Sequence, residues 1–69
     1  MTASVRYVRG QRYALLRGVP GWWLRANNVP ALRTLVYRGH WVHHARVPDL
    51  IALMESVGAR VIYSERDAE

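Results

Sequence analysis

The sequence predicts an α+β fold: a small, mostly antiparallel sheet with one amphipathic helix packed on it, in the order β-β-β-β-β-α-β. Three observations lead there. Two β-prone runs each carry a central Arg-Gly pair, at Arg9-Gly10 and Arg38-Gly39, as hairpins do. One later stretch, "VPDLIALMESVGA", changes to a helical period. A chain of 69 residues has room for a single core. Residues 1–64 are expected to form that domain, with "ERDAE" (65–69) as a short, acidic, frayed tail.

The first hairpin is "VRYVRGQRYALLR", residues 5–17. A type II′ turn at Gly10-Gln11 sets Val8 opposite Tyr13 and Tyr7 opposite Ala14. A turn centred on Arg9-Gly10 is the alternative and shifts the register. "GVPG" then reads as a turn, because Pro20 fixes φ and Gly21 is free to take φ > 0. "WWLR" follows as a short strand, ended by Asn27, Asn28 and Pro30. Its period of two places Trp22 with Leu24, and Trp23 with Arg25. Trp22 is expected to pack in the core beneath the helix. That leaves Trp23 and Arg25 as an exposed aromatic–arginine pair.

Residues 32–44, "LRTLVYRGHWVHH", read as a second hairpin. Across both hairpins, alternation sets Val8, Tyr13, Leu15, Leu35, Tyr37 and Val42 against Tyr7, Leu16, Val36 and Trp41. In the helix, Leu50, Ile51, Leu53, Met54 and Val57 follow the spacing of one face. Pro48 suits its first position, Asp49 complements the N-terminal dipole, and Gly58 suits the stop. "RVIYS" (60–64) closes the sheet. One helix covers only part of one sheet face. The apolar surface left open predicts a two-fold homodimer.

Composition bounds the function. Hydrophobic residues make up 51% of the chain, too many for a disordered one. Without cysteine there is neither a disulfide framework nor a thiolate metal site. No run approaches a membrane span, and "MTASVRYVRG" lacks the apolar core of a signal peptide, so a cytoplasmic protein with no membrane partner is expected. All ten basic residues are arginine. Coding bias in a GC-rich genome produces such usage, and so does selection for guanidinium forks that bind phosphate. Residues 1–64 hold nine arginines against Asp49 and Glu55, a surplus of seven positive charges. A polyanion meets that basic body.

"HWVHH" is the one histidine cluster. On a strand, His40 and His44 share a face and His43 takes the other, and no cysteine completes a metal site. Surface histidines contacting phosphate or a partner are the plainer reading. A small ribonuclease using these groups for acid–base chemistry is a third hypothesis. No complete catalytic motif is present and no cofactor is implied, so a non-enzymatic module is expected. Arginine interleaved with aromatics on a sheet suits a phosphate backbone and its bases. The candidate nucleic-acid contacts are Arg12, Arg17, Trp23, Arg25, Arg33, Arg38, His40, His44 and Arg46. Arg6, Tyr13 and Tyr37 fall among the same elements. The competing class is a protein-interaction module that docks its apolar face on a host protein or on itself. A solvated arginine face with no partner is the bland alternative.

In style the stretches "PGWWLRANNVPALR" and "HWVHHARVPDLIALMESVGARV" resemble the small, arginine-rich, lysine-free proteins of actinobacteria and their phages. That resemblance implies a short accessory or regulatory protein acting in a bacterial cytoplasm, and it carries no functional residue with it. The order strand-turn-strand-helix-strand over 32–64 is similar, in topology alone, to small DNA-annealing modules appended to helicases.

Overall fold

Seven apolar side chains of β-prone stretches set the floor of the core: Ala3, Val5, Tyr7, Ala14, Leu16, Val42 and, partly buried, Val61. The computed structural model describes residues 1–67. Its elements are β1 (Thr2–Val8), β2 (Tyr13–Arg17), α1 (Gly21–Ala26), β3 (Leu32–Thr34) and β4 (Gly39–His43). A 3₁₀ turn (His44–Arg46) leads into α2 (Val47–Ser56), and β5 (Arg60–Arg66) follows. The five strands form one sheet in the order β3-β4-β2-β1-β5, antiparallel except for the β1–β5 pair. The expected fold class is therefore the observed one.

The first hairpin combines features of both anticipated turns. Ser4 pairs with Arg17, Val5 with Leu16 and Arg6 with Leu15, which continues to Val8 opposite Tyr13. Yet the turn bond runs from Gln11 N to Val8 O, 3.1 Å, around Arg9-Gly10. A four-residue loop accommodates both, with Gly10 at φ 85°.

"WWLR" is helical, not extended. Trp23 N and Leu24 N both donate to the Pro20 carbonyl, at 3.1 and 3.4 Å. Pro20 itself keeps the extended backbone of an N-cap. Asn28 takes φ 56° and donates to Arg25 O, while Val29 N donates to Leu24 O. These two bonds are the Schellman stop of a helix. The helical turn reverses the expected roles of the tryptophans. Leu24 is buried, Trp23 packs against the core, and Trp22 is 64% exposed. Successive helical residues differ by about 100°, so Trp22 shares a side with Arg25 instead of entering the core.

The second hairpin is shorter than expected. Only Leu32–Thr34 is a strand, and residues 35–38 form the turn, with Arg38 at φ 54°. Leu16 pairs with His40 and Leu15 with Trp41, so Val42 lies on the Tyr7–Leu16 face and Trp41 joins Leu15 and Tyr13. This reverses the face expected for Trp41 and Val42. Small Val42, paired with Ala14, fits beneath the helices, whereas a tryptophan needs the open side.

Pro48 falls in the first turn of α2, and Val47, Leu50 and Met54 are its buried residues. Burying a side chain of that size contributes about 1.5–3 kcal/mol. Ile51 is half-buried against the core, but Val57 is 58% exposed beyond the last turn. Gly58 (φ 82°) and Ala59 close the helix by donating to Glu55 O and Met54 O, both at 3.0 Å. The chain then crosses two strands to lay β5 beside β1. That strand passes Ser64 and runs to Arg66, where Arg9 pairs with Glu65 and Asp67 at 3.3 and 2.8 Å. Of the expected tail, Ala68 and Glu69 lie outside the described residues. Because α1 and α2 both cover the Val5–Leu16–Val42 face, the opposite face of the sheet is open.

Candidate nucleic-acid interface

Strand alternation composes the open face. From β1 it takes Ser4, Arg6 and Val8, and from β2 Tyr13, Leu15 and Arg17. β4 adds Trp41 and His43, and β5 adds Arg60, Ile62, Ser64 and Arg66. All four arginines are exposed. Among the described residues every carboxylate lies elsewhere: Asp49 and Glu55 on α2, Glu65 on the helix side of β5, Asp67 beyond the strand. The face is therefore positive without internal compensation.

Aromatic rings line the β2–β4 side of that face. Tyr13 meets His43 edge-on, with ring centres 5.7 Å apart, and Tyr37 meets Trp41 edge-on at 5.5 Å. Edge-to-face pairs hold rings in place while leaving a π-face open. Arg17 is fixed by a 2.9 Å bond from its Nε to the Tyr37 carbonyl. Leu15, between Trp41 and Arg6 in the pairing, is only 5% exposed and forms the apolar floor.

A second basic surface lies on the helix side. A groove of about 630 Å³ runs between α1 and the β3–β4 hairpin, lined in part by Trp22, Arg25, Arg33, Arg38 and His40. Among the described residues no acid lines it. Burial holds the His40 imidazole below its ordinary range, and the charges of Arg33 and Arg25 push it further down. Its Nδ1 is buried without a hydrogen-bond partner.

The expected contacts divide accordingly. Arg25, Arg33, Arg38 and His40 come together in the groove, and Arg17 sits on the open face. Trp23 packs against the core, and Trp22 takes the exposed position that was expected of Trp23. Arg12 occupies the hairpin loop, where its carbonyl accepts from His44 N at 2.8 Å. His44 stacks on Tyr7 with ring centres 3.7 Å apart. Arg46 borders a smaller hollow with Asp49, Asn27 and Asn28. The histidine cluster is thus dispersed: His40 in the groove, His43 on the open face with Nδ1 accepting from Ala45 N, His44 against Tyr7. Among the described residues no three His, Cys, Asp or Glu side chains gather as a metal site requires. Among the described residues no helix is long and apolar enough to cross a membrane.

Reading the sequence alone left Trp41, Arg60 and Arg66 out of the candidate set. Alternation along "RVIYSER" does place Arg60 and Arg66 on one face with Ile62. Trp41 needed the pairing with Leu15, which no local pattern encodes. Compared with known proteins, the chain matches no family model, no curated protein and no solved structure.

Proposed function

We propose that this protein binds single-stranded nucleic acid across the open face of its sheet, as a non-enzymatic accessory or regulatory protein of a bacterium or phage. One observation carries the reading: four exposed arginines and the rings of Tyr13, Tyr37 and Trp41 share a surface free of described carboxylates. Guanidinium groups hold phosphates, and flat rings accept bases of any identity at about 1–3 kcal/mol each. The alternative occupant, a second copy placed face to face by a two-fold axis, sets arginine against arginine. Binding therefore tracks charge and stacking rather than sequence. The Tyr13→Ala, Trp41→Ala double variant, compared with the parent at a temperature where circular dichroism shows both folded, is expected to bind an oligothymidylate about tenfold or more weakly. Unchanged affinity measured by fluorescence anisotropy contradicts the placement.

A second reading, a protein-interaction module forming a homodimer or docking on a host protein, draws on a different place. Leu32, Leu35 and Val36 are 64%, 76% and 84% exposed along edge strand β3 and its turn. Exposed apolar edges favour association. Sedimentation at micromolar concentration tests it: a dimer dissociated by Val36→Glu supports this reading, and a monomer throughout removes its self-association form.

A further inference from the structure

We propose that the groove between α1 and the β3–β4 hairpin is a separate pocket for a nucleoside 5′-monophosphate, free or at the end of a strand. The inference deepens the nucleic-acid reading and rests on it only for the strand-end form.

Gly21 lines the groove beside His40 and Arg25. A Cβ built there lies 3.3 Å from His40 Nε2 and 3.6 Å from Arg25 Nη1. Two side-chain nitrogens from different elements, α1 and β4, thus converge on one point that a glycine leaves vacant. Arg33 and Arg38 add two more guanidinium groups to the same lining, with no acid among them. Three fixed positive charges exceed what one bridging phosphate of a strand, singly charged, can offset. A phosphomonoester, close to dianionic at neutral pH, is the better match.

His40 has unspent hydrogen-bonding capacity. Its Nδ1 is buried with no partner, and its Nε2 faces the groove. A neutral imidazole protonated on Nε2 donates to a phosphate oxygen there, beside the forked donors of Arg25. Trp22, 64% exposed, stands on the rim of the same groove. An indole on that rim offers a stacking face for the base attached to the phosphate. The ligand class follows from the combination: cations alone take any anion, whereas cations with an indole rim select a nucleotide.

The test compares one oligothymidylate carrying either a 5′-phosphate or a 5′-hydroxyl, and adds adenosine monophosphate and adenosine as free ligands. Titration calorimetry is run on the parent, on Gly21→Ala and on Arg33→Gln. Gly21→Ala fills the convergence point at a helical position where alanine is well tolerated, and circular dichroism confirms that both variants are folded. A 5′-phosphate is expected to tighten strand binding about tenfold, and both variants are expected to erase that preference without changing affinity for the 5′-hydroxyl strand. Binding of the monophosphate but not adenosine, lost in both variants, with the two strands equal, supports the pocket with a free nucleotide as its ligand. Equal strands and no monophosphate binding overturn the pocket while leaving the open-face reading intact if the strands still bind. Monophosphate binding without strand binding does the reverse. Phosphate preference that survives both variants also overturns this placement.

Discussion

His40 is the residue at which burial and charge meet. The imidazole is withdrawn from water first and flanked by Arg33 and Arg25 second, and both effects disfavour its protonation. The unfolded chain takes up this proton near the ordinary value of 6.5, the folded chain only at lower pH. Stability from this site is therefore complete above 6.5 and is lost as pH falls through the folded pKa. A heteronuclear NMR titration is expected to place the His40 midpoint below 6.5, and Arg33→Gln is expected to raise it. A parent midpoint above 6.5 contradicts this account of the groove. That one of Trp22 and Trp23 is structural and the other exposed was legible from their adjacency in so short a chain. Which is which depended on 100° per residue replacing 180°, a difference that no single residue declares.

Two stops with one chemistry frame the elements. Helix α2 was legible because its apolar spacing, Pro48 and Gly58 agree. Helix α1 ends with the same bonding pattern, Asn28 standing where Gly58 stands, and Pro30 follows as it often follows a helix end. "ANNVP" thus carried the stop signal, but two tryptophans favour strand locally and six residues give no period to read. Tertiary burial of Leu24 decided the matter. In the sheet, the first hairpin's register was legible from its pairing pattern. β3 was overextended because Leu35, Val36 and Tyr37 are β-prone yet lie in the turn. Glycines at element boundaries allow a graded check. Gly58→Ala places a Cβ in open space and is expected to cost about 1 kcal/mol from its left-handed backbone alone. Gly18→Ala, also at positive φ (86°), drives its Cβ into the Thr2 carbonyl and is expected to cost more. Urea unfolding measures both. A smaller loss at Gly18 than at Gly58 contradicts the close approach of that turn to β1.

At the scale of the whole molecule, the helices take one face of the sheet and the charges sort accordingly. The surplus of positive charge in residues 1–64 was visible in the sequence, but its division between two surfaces was not. That division follows from strand order: β1 in the interior and β5 at its edge bring Arg6, Arg60 and Arg66 onto the face that β2 supplies with Arg17. The described acids fall on α2, the helix side of β5 and the position after it, where Arg9 engages Glu65 and Asp67. Nucleic-acid binding through the open face is accordingly a claim about counterions. Four arginines neutralising four phosphates of a single strand give log K against log salt a slope of about −3. Titration of an oligothymidylate at several salt concentrations measures that slope directly. The account predicts binding at low salt that weakens along it, with the slope reduced in an Arg6→Gln, Arg60→Gln variant. No binding at low salt, or an affinity indifferent to salt, contradicts it.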